Sequence, residues 1–232
     1  MFKKLLFAAF AFSTITASAQ TVDEIVAKNI EAMGGAAKIA TLTSTKMTGS
    51  MSMQGQEIPM TFTTLHQKGS RMDIEIMGTS NYQIITPEKG YMFFPIQQMT
   101  EPKEMEAEQV AAEQGRLNVQ GVFYNYKENG TTIEFIANEK VDGVQAYKLK
   151  VTRKSGKSSF SFIDAKTGFV LKTISKAKGM SGDEEDMETT LSDYKQNKDG
   201  YWFPYTITSA RGPIVFETIE TNIKVDENIF KN

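Results

Sequence analysis

The sequence predicts a mainly β chain of the α+β class, with about twelve antiparallel strands and about three helices. Three observations carry this. Apolar and small residues alternate with polar ones at period two, as in Met47, Gly49, Met51 and Met53 against Thr48, Ser50 and Ser52. Turn signals rich in Gly recur between such stretches at short spacing. Helical periodicity is confined to residues 22–42 and 101–128. Period two gives a sheet one wet face and one apolar face, and short connections imply an antiparallel meander.

The chain opens with a targeting signal. Lys3 and Lys4 precede the apolar stretch Leu5 to Phe12, and Ala17-Ser18-Ala19 is a small-residue cleavage site before Gln20. The apolar stretch is far shorter than the roughly 20 residues of a membrane helix. Cleavage is expected after Ala19, leaving residues 20–232 as one domain without a membrane-spanning segment. No cysteine stands near the cleavage point to take a lipid anchor. The mature protein is therefore expected to be soluble and periplasmic.

Thr21-Val22-Asp23-Glu24 is a capping box, in which Thr21 caps a helix and Glu24 reaches back. Val22, Ile25, Val26, Ile30 and Met33 fall on one helical stripe, and Gly34-Gly35 stops it. A short second helix is expected between Ala36 and Leu42. Strands are expected at 45–54, 57–67, 71–77, 81–86 and 90–95. The stretch 97–128 breaks the rhythm. Glu101 to Gln114 is rich in good helix formers, and Val119, Val122, Phe123 and Tyr126 sit at helical spacing, so two helices are expected. Strands resume at 131–137, 144–153, 157–164, 169–177, 187–195, 201–209 and 213–224, with an acidic loop from Gly182 to Asp186.

Composition excludes several functions. Without cysteine there is no disulfide scaffold, thiolate metal site or cysteine nucleophile. Removing Lys3 and Lys4 leaves 24 basic against 28 acidic residues, a net charge of about −4. With no basic block, nucleic acid is not an expected partner. His66 is the only histidine, which argues against a histidine metal site or a His-based catalytic group. Asp183, Glu184, Glu185 and Asp186 lack the ligand alternation and glycine of a calcium loop. There is no Gly-x-Ser-x-Gly elbow and no phosphate loop. Tyr201, Trp202, Phe203 and Tyr205 form the densest aromatic cluster, read as core packing. No catalytic group, metal or cofactor is expected.

The apolar side of the strands is soft as well as oily. Methionine is unbranched and polarizable and adapts to guests of irregular shape. The residues expected to line a hydrophobic cavity are Met51, Met53, Met60, Phe62, Met72, Ile74, Ile76, Tyr91 and Phe93. The same residues would equally serve as ordinary core against the helices, and periodicity alone does not separate the two. A buried acyl methylene contributes about 0.8 kcal/mol. Ten of them give roughly 8 kcal/mol, near micromolar affinity before ordering costs.

Several longer phrases carry a family resemblance: DYKQNKDGYWFP (193–204), SFIDAKTGFVLKT (161–173), VDGVQAYKLKV (141–151), IKVDENIF (223–230) and MGGAAKIATLTSTKMTGSM (33–51). With these the mature chain resembles the outer-membrane lipoprotein-sorting proteins of Bacteroidetes-type bacteria, within the broad LolA-like family of periplasmic carriers. The resemblance spans nearly all of residues 21–230. It implies an incomplete antiparallel β-barrel of about 11–12 strands, with helices closing a hydrophobic cavity as a lid. The helices at 22–33 and 102–128 are the lid candidates. It also implies a function: carrying lipoprotein acyl chains towards the outer membrane between inner-membrane donor and outer-membrane acceptor proteins. A lipid-sensing or envelope-stress subunit on the same fold is the alternative. The family's lid-locking arginine has no match. The corresponding stretch reads Gln67-Lys68-Gly69-Ser70-Arg71, with Arg71 displaced by a residue or two.

Overall fold

The computed structural model describes residues 21–53, 55–178 and 184–232. The expected signal peptide, and Gly182 and Asp183 of the acidic loop, lie outside the described residues.

Helix α1 (Val22–Ala32) begins as its capping box predicts. The Glu24 amide donates to Thr21 Oγ1 at 3.3 Å, and the Thr21 amide donates to the Glu24 carboxylate at 2.8 Å. The short helix α2 (Ala36–Ala40) follows. Five strands then form a meander: β1 (Ser44–Met53), β2 (Gln56–Leu65), β3 (Gly69–Ile76), β4 (Thr79–Ile85) and β5 (Gly90–Phe93). A two-residue strand, β6 (Lys103–Glu104), pairs with β5, and helix α3 (Ala107–Glu113) and a 3-10 turn (Gln114–Leu117) come after it. The second meander runs β7 (Thr132–Val141), β8 (Val144–Thr152), β9 (Ser158–Asp164), β10 (Val170–Lys178), β11 (Glu184–Gln196), β12 (Trp202–Ser209) and β13 (Gly212–Thr221).

These strands make one antiparallel 13-stranded sheet in the order β6-β5-β4-β3-β2-β1-β13-β12-β11-β10-β9-β8-β7. The two meanders meet where β1 pairs with β13. The sheet stays open, with β6 and β7 as its free edges. These edges are also neighbours in sequence, and the chain crosses between them through residues 105–131.

Two expectations need correction here. Strand β6 was not anticipated, because two charged residues carry no alternation. The helix expected across Val119 to Tyr126 is a succession of turns. Gly121 (φ 83°) and Asn125 (φ 46°) adopt left-handed backbone that an α-helix does not contain.

The register fixes two faces. Thr45↔Thr64 and Met51↔Ile58 pair across β1–β2, Phe62↔Met72 and Met60↔Ile74 across β2–β3, and Met51↔Ile214 across β1–β13. The row continues through Ile214↔Ile207 and Ile207↔Leu191. This inner face also carries Leu149 and Val151, on which α1 packs through Ile25 and Val26, together with Phe123 and Ile163. At the other edge Met105, Val110 and Leu117 cover Ile85 and Met92. So the helical segments cover the two flanks of the inner face and leave the Met-rich strands between them.

The outer face has its own small core of Val141, Ala146 and Phe162, roofed by lysine stems. Lys172 Nζ lies 4.8 Å from the Phe162 ring centre. Across β3 the outer face is covered by the C-terminal 3-10 turn (Glu227–Phe230). Arg71 donates to the Ile229 carbonyl at 3.2 Å and stacks over Tyr82. Arg71 therefore ties down the C-terminus on the outer face, away from α1. Among the described residues no helix is long and apolar enough to cross a membrane.

Candidate functional site

Beneath α1 lies an apolar cavity of about 220 Å³. Ile30 of α1, its C-cap Met33, Ile39 of α2, Leu42 and the turns at 119–124 form its roof. Its floor is strands β9–β12, through Ser161, Val170, Thr173, Leu191, Tyr194 and Trp202. Ile30 and Met33 descend from the helical stripe that the sequence marks as apolar.

Among the described residues no charged side chain lines this cavity. Four of its polar side chains, those of Asn29, Gln120, Tyr194 and Tyr201, are turned to partners in the protein. Asn29 donates to the Gly168 carbonyl at 2.8 Å, and Tyr194 donates its hydroxyl to the Val170 carbonyl at 2.9 Å. Tyr201 Oη meets Thr41 Oγ1 at 2.8 Å and accepts from Asn222 at 2.9 Å. The Gln120 amide donates to the carbonyls of Ala40 and Leu42. Burial pushes the Tyr194 phenol well above the usual tyrosine range, so it stays neutral at any physiological pH. A site of this kind suits an apolar guest and offers it no charged reagent.

One end of the cavity is aromatic. Phe169 stacks on Tyr194 with centroids 4.2 Å apart and rings 10° from parallel, and Trp202 meets Phe169 at 5.3 Å. The sequence singled out Trp202 and Phe203 as part of a dense aromatic cluster, and the structure puts both in the cavity wall. Leu191, Tyr194 and Pro204 were not foreseen. They reach the site from neighbouring strands, and Asp193 (φ 56°) interrupts the alternation of β11 between Leu191 and Tyr194.

A second, more open groove of about 260 Å³ lies between α1 and residues 123–128. Ile30, Phe123 and Tyr124 line both spaces, so they form the partition between them. A polar clasp closes the rim. Lys127 Nζ and Tyr126 Oη donate to the two oxygens of Asp23 at 2.8 and 2.6 Å. The Lys127 ammonium first, and then the Tyr126 hydroxyl, hold the Asp23 carboxyl below its ordinary pKa.

None of the nine residues expected to line a cavity borders this one. Met51, Met53, Met60, Phe62, Met72, Ile74 and Ile76 instead share the inner face of β1–β3. Ile58 and Met60 there are buried, Phe62, Met72, Ile74 and Ile76 are half-buried, and Met53 is 42% exposed. Tyr91 and Phe93 do not join them. Met92 pairs with Gln83 on the inner face, which turns Tyr91 and Phe93 outward beside Ile84 and Tyr82. Their outward turn follows from Gly90 taking an inner position opposite Ile85. His66, just after β2, is not among the cavity residues. Among the described residues no group of three His, Cys, Asp or Glu could hold a metal ion.

No family model and no curated protein matches the chain. Solved structures match its fold. A LolA superfamily protein from Nitrosomonas europaea is 12% identical with a TM-score of 0.58, covering 92% of this chain and 99% of that one. A DUF1329 family protein from Desulfovibrio piger is 14% identical with a TM-score of 0.57, covering 90% and 97%. An outer membrane lipoprotein-sorting protein domain from Vibrio parahaemolyticus is 16% identical with a TM-score of 0.50, covering 90% and 95%. This chain therefore has the LolA-like fold.

Proposed function

We propose that this chain is a periplasmic lipoprotein-sorting protein that binds lipoprotein acyl chains and carries them towards the outer membrane. The observation that carries the reading is the cavity beneath α1, about 220 Å³ in volume, lined among the described residues by no charged side chain. Hydrocarbon is the guest such a wall accepts, because burial of methylenes supplies the affinity and no polar partner is needed. The inner-face methionines Met51, Met53, Met60 and Met72 extend the apolar surface beyond the cavity, and their adaptable side chains suit a cargo that must also be released. The LolA-like fold and the targeting signal read from the first 19 residues agree with a carrier in the periplasm. The protein works without catalysis, with membrane-bound donor and acceptor proteins as its partners.

The mature chain, residues 20–232, expressed with its own signal, tests this. Native mass spectrometry is expected to show bound lipid mass, and a fluorescent fatty acid should be displaced by acyl competitors. A protein that carries no lipid and takes up none would overturn the reading. Pull-down of a signalling protein in place of lipoproteins would move it to a lipid sensor.

A further inference from the structure

Two of the phrases that carry the family resemblance, MGGAAKIATLTSTKMTGSM (33–51) and DYKQNKDGYWFP (193–204), meet in space at Lys38 of α2. Its Nζ donates to the Asp199 carbonyl at 2.6 Å and stands 4.3 Å from the centre of the Tyr201 ring. Its stem runs past Gly34 beside the Trp202 indole. A Cβ on Gly34 would lie 3.7 Å from Lys38 Cγ and 3.9 Å from Trp202 Cδ1. Met33, Tyr201 and Trp202 line the cavity, and Lys38 does not. A half-buried lysine therefore stands at the aromatic end of the cavity, just outside its uncharged wall.

This cation has neutral partners. Among the described residues no carboxylate forms an ion pair with Lys38, which keeps a carbonyl and an aromatic face. The Asp199 carboxylate accepts from Thr221 Oγ1 at 2.7 Å, Glu220 is engaged by Lys198, and Glu31 stands beside Gly35. An ammonium carries three donors, and the Asp199 carbonyl takes one of them. The ring attracts the charge through its face and uses no donor. Carbonyl, ring and packed stem hold Nζ in place, so an arriving anion does not have to order a loose side chain. Hydrogen bonds from an ammonium to an oxyanion are roughly twice as strong as neutral ones.

Resting on the lipid-binding reading above, we infer that Lys38 recognises the anionic head group of the bound amphiphile, a carboxylate or a phosphate. It selects anionic amphiphiles over neutral ones of the same chain length, a discrimination that the uncharged cavity wall does not make. The head stays at the surface beside Tyr201, where water completes its solvation, and the hydrocarbon next to it meets Trp202.

Dodecanoic acid, dodecyl phosphate and dodecanol share one chain and differ in the head. Each is titrated, at a pH where both anions are ionised, against the mature protein loaded with N-phenyl-1-naphthylamine, an uncharged fluorescent probe. The two anions are expected to displace the probe at about tenfold lower concentration than the alcohol. Lys38→Met keeps the stem and removes the charge, and should bring the anions to the level of the alcohol. Lys38→Arg should retain most of the preference. Raising the salt to about 1 M, where the screening length is about 3 Å, should narrow the gap in the unaltered protein, a readout that needs no variant. Whichever anion loses more in Lys38→Met identifies the source as a fatty acid or a phospholipid. Equal binding of all three by the unaltered protein, or an equal loss of all three in Lys38→Met, overturns the assignment while leaving lipid binding intact. If none of the three displaces the probe, the lipid-binding reading fails and takes this one with it.

Discussion

The side-chain amide of Asn29 donates to the main-chain carbonyl of Gly168 at 2.8 Å, a buried bond joining α1 to the turn between β9 and β10. Lys28 Nζ donates to the Ala165 carbonyl in the same turn. Gly168 makes the approach feasible, since its φ is 82° and an added Cβ would stand 2.8 Å from the Lys28 carbonyl oxygen. The cavity roof is thereby clamped to its floor at α1. Asn29→Ala leaves the Gly168 carbonyl buried without this partner, a loss of roughly 1–3 kcal/mol. For a chain of this length that lowers the melting temperature by about 2–4 °C per kcal/mol. Thermal unfolding measures it, and an unchanged melting temperature would show that the clamp is not a stabilising contact.

Gly49 sits in β1 opposite the irregularity in β13, where the pairing shifts between Thr48 and Gly49. A Cβ there would lie 2.0 Å from the Val215 carbonyl oxygen and 2.7 Å from the Phe216 Cα. Both are backbone atoms and cannot swing aside. Gly49→Ala should destabilise by about 3 kcal/mol, the upper end for overpacking. A urea midpoint lowered without change of slope is the expected signature.

His66 Nδ1 is buried without a hydrogen-bond partner, and burial lowers the imidazole pKa below its ordinary value. The folded chain therefore binds the proton less readily than the unfolded chain. Its contribution to stability is present above the unfolded pKa of about 6.5 and is lost as pH falls towards the folded value. Stability measured from pH 7 down to pH 5 should decline, and His66→Gln should flatten that part of the profile. An identical decline in the variant would assign it to other groups.

Met72 is half-buried on the inner face, opposite Phe62. Met72→Glu places a charge on the apolar surface that extends the proposed binding site beyond the cavity. Affinity for a sixteen-carbon acid should fall about tenfold or more, equivalent to at least about 1.4 kcal/mol. An eight-carbon acid, short enough to be enclosed beneath α1, should bind as before. Equal losses for both acids would count against a division of the chain between cavity and strands.

Much of this architecture was legible in the sequence, because local physics decides it. The Thr21–Glu24 capping box, the α1 stripe and the alternation of β1, β2 and β3 each need only neighbouring residues, and each appears where the pattern puts it. The turns at 119–130 follow from left-handed backbone at Gly121 and Asn125 that side-chain periodicity does not encode, and the two charged residues of β6 carry no alternation. The enclosed cavity was the least legible part. Ile30, Tyr124, Leu191 and Trp202 meet there from a helix, a run of turns and two strands. The local signals were the α1 stripe that carries Ile30 and Met33, and the crowd of aromatic rings, Tyr201, Trp202 and Phe203, after the turn at Asn197–Gly200. Parity along β5 separated Tyr91 and Phe93 from the rest, since a strand's phase after a turn is set by the pairing of Gly90 with Ile85.

The junction of β1 with β13 has a kinetic consequence. Thr45 meets Thr221 only after nearly the whole polypeptide has been made, since that contact spans most of the sequence. Earlier in folding the two meanders are separate ribbons. Contacts so distant along the chain form slowly because the intervening loop must first be closed. Refolding should therefore show a late step in which the halves zip together, and truncation before Gly212 should arrest the chain as two unjoined sheets.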